Sequence, residues 1–265
     1  MKKIFATVLS IVLIVTFAFF DASIAEAAIT DSLVSYWKLD ETSGTREDIH
    51  GTYDLTDNNT VLYATGKINN GADFEASASE WLSTGSSLGI TGDLSISGWF
   101  KPEVANITQV ITGNYSSSAN RGFIFYVNTS GFLVSTVNQA ANGSDQSNAT
   151  ANDSALTAGT FYYVTMTYTA ATGVVRLYVN GTETTYASQT TNATAINNPG
   201  VSYTIGRNEG TFYLDGVLDE LGIWTKVLST AEITELYATG NGLAYPFSAP
   251  PPAETLTSQN DIIYY

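Results

Sequence analysis

The segment Asp215-Gly216-Val217-Leu218-Asp219-Glu220-Leu221-Gly222-Ile223-Trp224 limits the folds open to this chain more than any other. It reads as a strand with two acids in its middle, and Ser229-Thr230-Ala231-Glu232 follows closely. Its apolar residues fall on both parities: Val217, Leu221 and Ile223 on one, Leu218 and Trp224 on the other. Such a strand is covered on both faces, as in a two-sheet core. Acids inside that cover need compensation, so Asp219 and Glu220 require partners, and a bound cation is one candidate. Strict alternation points the two carboxylates to opposite faces.

The rest of the chain supplies more strands. Leu33 to Leu39 is a first strand, and Leu94 to Phe100 alternates before Lys101-Pro102. Phe123 to Val127 and Phe132 to Val137 flank Asn128-Thr129-Ser130-Gly131, a spacing that suits a hairpin. Phe161 to Thr169, rich in aromatic and β-branched residues, is followed by Val174 to Val179 after a turn at Thr172-Gly173. Asn180-Gly181 then turns the chain into Thr182 to Ala187. Residues 139–154, dense in Asn, Ser, Ala, Thr and Gly, read as a polar loop or irregular edge. One helix stands out: Ser229 and Glu232 make a capping box, Leu228 and Ile233 a hydrophobic staple, and Gly240 a terminator. Many short strands and one late helix predict an all-β, two-sheet antiparallel sandwich. Trp37, Trp99 and Trp224 are expected to share its core.

Residues 1–27 have the form of a secretory signal peptide: Lys2 and Lys3, an apolar run from Ile4 to Phe20, and Ala25-Glu26-Ala27 as cleavage site. An uncleaved anchor is the other reading of this segment. No later stretch is long and apolar enough to span a bilayer. The expected domain covers residues 28–247, and residues 248–265 form a Pro-rich linker or tail around Pro250-Pro251-Pro252. The two lysines of the leader offset its Asp21 and Glu26, so the rest of the chain keeps the formal charge of −15. With basic residues few and scattered, a nucleic-acid partner is not expected. The absence of cysteine removes thiol catalysis and Cys-ligated zinc. His50, the single histidine, lies in a turn-like run and reads as exposed.

Several blocks in order resemble a known family. They are Leu33 to Gly44, Gly66 to Phe74, Leu94 to Pro102, Tyr162 to Tyr168, Val175 to Gly181, and Ile205-Gly206-Arg207-Asn208 leading to the acidic strand and its helix. Together they resemble the LamG-like (laminin G-like), concanavalin A-like jelly roll over about residues 32–246. The resemblance implies a jelly-roll β-sandwich with one short C-terminal helix, secreted or at the cell surface. It also implies a recognition module and often a structural calcium ion. Many members carry a His pair where Tyr162-Tyr163 stand here, so any role of those histidines is absent.

By position, the resemblance implies Asp40 and Asp219 as side-chain ligands of calcium. Asp48 joins them, and a carbonyl near Gly44 completes the set; calcium takes six to eight oxygens of this kind. The same carboxylates could instead cap turns. For saccharide binding, aromatic faces and planar polar groups are needed, and Asn114, Tyr115, Arg121, Arg207, Asn208 and Tyr213, placed on loops, are the candidates. No pair of acids has the geometry of a glycoside hydrolase, since the acidic clusters are adjacent pairs or lack a middle member. The expectation is a non-catalytic module that binds extracellular polysaccharide or glycoprotein. A structural or adhesive domain contacting surface proteins is the alternative, and an atypical glycoside hydrolase the second.

Overall fold

A computed structural model describes residues 29–117, 120–141, 143–208 and 212–247. The expected leader and Pro-rich tail lie outside the described residues. The chain runs through β1 (Leu33–Trp37), β2 (Thr56–Asn58), β3 (Leu62–Thr65), β4 (Asn70–Phe74), β5 (Trp81–Ser83) and β6 (Leu94–Pro102). It continues through β7 (Gln109–Ser117), β8 (Asn120–Val127), β9 (Leu133–Asn138), β10 (Gln146–Ala151), β11 (Tyr162–Thr169) and β12 (Val174–Val179). It closes with β13 (Thr182–Glu183), β14 (Tyr186–Thr191), β15 (Thr204–Ile205), β16 (Arg207–Asn208), β17 (Phe212–Tyr213), β18 (Gly216–Trp224) and a helix, α1 (Thr230–Tyr237). The strands form two sheets, β13-β12-β11-β6-β18-β4-β3 with β1 beside β18, and β14-β10-β9-β8-β7-β15-β5-β2. Neighbours pair antiparallel throughout, and β16-β17 makes a small separate hairpin. Among the described residues no helix is long and apolar enough to cross a membrane.

The layers follow from alternation. Ile96, Phe100 and Leu177 of the first sheet meet Leu82, Ile111, Phe123, Phe125, Leu133 and Val137 of the second in one apolar core. The other parity of the first sheet is apolar as well. Tyr36, Trp99, Tyr163, Tyr178 and Trp224 form a second cluster with Leu228, Ile233 and Leu236 of the helical segment and with Phe247. The three indoles are therefore split. Trp37 lies between the sheets, while Trp99 and Trp224 lie under α1, so the expectation of one shared compartment fails. Its error was to allow one apolar layer where the first sheet has two. Sheet pairing and core composition still give the sandwich, with the helical segment as a third layer.

Strand β18 departs from strict alternation at Glu220, which has φ +52, and its register on β6 shifts between Asp219 and Gly222. This bulge sends Leu218, Leu221 and Ile223 all into the inter-sheet core. The two acids occupy the extra residue's place and do not straddle the sheet. The expectation of opposite faces fails because one added residue resets the parity.

Two other expectations change. Residues 146–151 are not loop but β10, which lies inside the second sheet between β9 and β14. Ser147, Ala149 and Ala151 are buried while Gln146, Asn148 and Thr150 are only partly so, an alternation hidden by small side chains. The strand expected over Thr182 to Ala187 breaks into β13 and β14, which belong to different sheets. The hairpin turn at Asn180-Gly181 stands, with φ +52 and +78. Helix α1 has the capping box, Ser229 accepting from Glu232 N–H and the Glu232 carboxylate accepting from Ser229 N–H. The left-handed residue that ends it is Ala238, ahead of Gly240.

Candidate functional site: a groove on the outer face of the second sheet

Alternation that buries Phe123 and Phe125 turns Ile124 and Tyr126 of β8 to the opposite face. Val110 of β7, Thr136 of β9 and Gln146 of β10 join them, and among the described residues no helix covers this face as one covers the first sheet. The β16-β17 hairpin rises at one side and contributes Asn208 and Phe212, and Tyr115 stands on β7. Together with Thr108 these residues enclose a groove of about 310 Å³. Phe212, with 47 % of its surface exposed, is among the most open apolar side chains of the chain. Asn208 Oδ1 is buried and has no hydrogen-bond donor among the described residues. Burial raises the Tyr126 phenol above its ordinary value, so it stays protonated and able to donate at neutral pH. The groove thus offers ring faces, hydroxyls and amides, the set that suits a polyhydroxylated ligand.

The residues expected to bind saccharide lie on strands, not on loops. Tyr115 is on β7, Arg121 on β8, Arg207 and Asn208 on β16, and Tyr213 on β17. The Gly113 to Ser117 run looked like a loop because Asn, Gly and Ser dominate it; its register on β8 shifts twice, as a bulged strand does. Tyr115 and Asn208 line the groove. The Arg121 guanidinium carbon stands 5.3 Å from the Tyr115 ring centroid, and that of Arg207 3.5 Å from the Trp81 centroid. Tyr213 pairs with Arg207 across the hairpin and lines a neighbouring hollow with Ile107 and Phe212. Asn114 is buried, and its Oδ1 accepts the Phe123 N–H at 2.7 Å, so its amide oxygen is spent on tying β7 to β8. Tyr126, Gln146, Thr136 and Phe212 were missed. Tyr126 could have been found from the parity of its own strand; Gln146 was concealed in the stretch read as loop.

The acids implied as calcium ligands do not all meet. Asp48 is a turn anchor: its carboxylate accepts N–H groups from Tyr36, His50, Gly51 and Tyr53 at 2.8–3.2 Å. Burial would raise it, but the Gly51, Tyr36 and Tyr53 donors outweigh burial and hold it below the ordinary aspartate value. The Gly44 carbonyl is taken by Arg46, a fully buried guanidinium that also donates to the Val61 and Leu62 carbonyls. Asp40 and Asp219 do come together around residues 67–70. Asp219 Oδ2 accepts from Lys67 and Ile68 N–H at 2.7 and 2.8 Å, and Asp40 Oδ1 accepts from Asn70 N–H at 3.1 Å.

Asp219 Oδ1 remains buried with no partner. Burial, with Glu220 and Asp40 nearby, pushes this carboxyl up to about 8, against the donors Ile68 and Lys67. Burial likewise lifts Glu220 to about 7, opposed by Tyr36 and Lys38. An orphaned oxygen on a carboxyl this strongly raised fits a cation; Asp40 and Asp219 suit one, and Asp48 does not. Among the described residues the three acids whose oxygens approach within 4.8 Å of one another are a different set, Asp73, Glu75 and Glu103. His50 is exposed, within 3.0 Å of the Tyr245 hydroxyl, and far in role from any carboxylate pair.

No curated protein matches the chain. Solved structures of the same fold are numerous. Domain 4 of AbnA, a GH43 extracellular arabinanase from Geobacillus stearothermophilus solved in complex with arabinotriose, superposes with a TM-score of 0.57 at 20 % identity, over 77 % of this chain and 97 % of that one. The binding domain of Paraclostridial Mosquitocidal Protein 1 gives 0.62 at 15 % identity, over 79 % of this chain and 52 % of that one. Trypanosoma rangeli sialidase gives 0.57 at 13 %, over 81 % of this chain and 34 % of the sialidase. At these identities the likeness is one of fold. A family profile, however, matches residues 74–234, more than half of the chain, and that span carries most strands of both sheets, the bulged acidic strand and the start of α1. The chain is a member of the Laminin_G_3 family of the concanavalin A-like lectin/glucanases superfamily.

Proposed function

We propose that this protein is a non-catalytic module that binds an extracellular saccharide in the groove on the outer face of its second sheet. The observation that carries the reading is the groove's lining: Tyr115, Tyr126 and Phe212 supply ring faces, and Asn208, Gln146 and Thr136 supply polar edges. None of the described acidic residues is among those lining it. A glycoside hydrolase needs two carboxyl groups facing the scissile bond, so this lining supports binding over hydrolysis. A relative of the same fold holding arabinotriose lends support to a saccharide as ligand. The leader-like residues 1–27 support a site of action outside the cell. The groove is largely formed by strands, so little ordering is needed on binding, and affinity rests on stacking and hydrogen bonds.

The test is retention on a panel of immobilised polysaccharides, neutral and acidic, with Tyr126→Ala and Tyr115→Ala beside the native protein. Each ring is expected to contribute about 0.5–1.5 kcal/mol beyond its area. Binding should therefore weaken about twofold to tenfold per variant, with melting temperature little changed. Retention by both variants at native strength would move the site elsewhere.

A calcium ion between Asp40 and Asp219 belongs to the same proposal as a structural element. When bound it would neutralise the raised Asp219 carboxyl and join the 67–70 segment to β18, stabilising the fold by linkage. Melting in calcium and in chelator tests it: the midpoint should rise with calcium in the native protein and not in Asp219→Asn.

A further inference from the structure

Eight basic residues fall among the described residues, and most are engaged away from the groove. Lys101, Arg176 and Lys226 pair with Glu103, Glu183 and Glu232. Arg46 is buried against carbonyls, Lys38 acts on Glu220, and Lys67 lies over Trp99 on the first sheet. Arg121 and Arg207 remain. Neither forms an ion pair with a described acid, and both rest on aromatic rings at the second sheet. Arg207 is chain neighbour to Asn208 of the groove, and Arg121 covers its Tyr115.

Arg121 is also drawn toward the groove's polar end. A Cβ on Gly143 would stand 2.6 Å from Arg121 Nη1 and 2.8 Å from Gln146 Nε2, so the two donors lie on the same side of that glycine. Gln146 Nε2 spends one hydrogen on Asn138 Oδ1 at 2.9 Å, leaving the other. Within a chain of net charge −15, this corner brings a guanidinium and an amide donor together; exposed Asp145 precedes Gln146 in the chain, but no described carboxylate lines the groove.

We propose that the saccharide bound in the groove is carboxylated, a uronate-type sugar whose carboxylate pairs with the Arg121 guanidinium beside Gln146. The guanidinium fork matches a carboxylate with two parallel charge-assisted hydrogen bonds, roughly twice as strong as those it makes to the hydroxyls of a neutral sugar. Its contact with Tyr115 holds the plane in place before the ligand arrives. Acids farther than about 8 Å from this corner are screened at physiological salt, and the exposed Asp145 beside Gln146 is the described acid next to it in the chain. The inference rests on the groove being a saccharide site and adds the charge of the ligand to it.

The test uses polygalacturonate, alginate and hyaluronan, each beside its carboxyl-reduced form, with native protein, Arg121→Gln and Arg121→Lys. At least one acidic polymer should be retained, with about tenfold weaker binding to its reduced form and to the same polymer by Arg121→Gln, since hydrogen bonds to charged groups are worth about 1.5–3 kcal/mol. Arg121→Lys should keep part of the binding, because it restores charge without the fork, and that partial rescue separates pairing from a folding defect. Equal retention of acidic and reduced forms, native-strength binding by Arg121→Gln, or no retention of any acidic polymer overturns the inference. In those cases retention of neutral arabinan or β-glucan, weakened in Tyr126→Ala, leaves the saccharide reading intact. Failure of every polymer overturns both.

Discussion

Asn114 and Asp219 are both buried polar residues with opposite degrees of satisfaction. Asn114 Oδ1 is committed to Phe123 N–H. Asn114→Ala leaves that buried N–H without an acceptor, which costs about 1–3 kcal/mol, and a chemical denaturation midpoint will report it. Asp219 and Glu220 are less well satisfied, and stability should follow their protons. A carboxyl whose folded value lies above its unfolded value keeps a proton in the folded chain that the unfolded chain has released. The folded state then binds more protons, so stability falls as pH rises. The interval runs from the unfolded carboxyl value near 4 to the folded values of about 7 for Glu220 and about 8 for Asp219. In chelator, the melting temperature is expected to drop between about pH 5 and about pH 8, and Glu220→Gln to flatten that drop. A melting temperature that instead rises over this interval in chelator contradicts the assignment. At this scale the sequence exposed that two acids in an apolar strand need compensation. It did not expose their direction, because the bulge at Glu220 depends on how β18 registers against β6.

Elements were legible where a local rule settles them. The capping box of α1 is read from Ser229 and Glu232 alone, and the structure has both of its hydrogen bonds. Ser229→Ala should cost about 1 kcal/mol. The loss reaches beyond the helix because Ile233 and Leu236 cover Trp99 and Trp224, so near-ultraviolet dichroism of the indoles should change with the melt. Turns at Asn180-Gly181 and Gly131 were legible for the same reason, a positive φ that few residues tolerate. Strand β10 was not. Its buried face is Ser147, Ala149 and Ala151, too small to register as an apolar stripe, and it is a strand because β9 and β14 hold it on either side. Tertiary pairing overrode a composition that reads as loop, and Gln146 of the groove was lost with it.

For the whole molecule, the two-sheet architecture and the family were readable from ordered sequence blocks, but the distribution of layers was not. The first sheet is apolar on both sides, with α1 on its outer face, and this separates Trp37 from Trp99 and Trp224. Among the described residues no helix covers the outer face of the second sheet, and that asymmetry is why the proposed site is placed there. Binding assays on Tyr126→Ala and Arg121→Gln examine single contacts; the location of the site is a property of the entire fold. The direct measurement is backbone amide chemical-shift mapping during titration with a retained oligosaccharide. The account predicts shifts concentrated at Val110, Tyr115, Ile124, Tyr126, Thr136 and Gln146, with the amides of α1 and β18 unmoved. Shifts concentrated under α1, or around Asp40 and Asn70 at the first sheet, would contradict it.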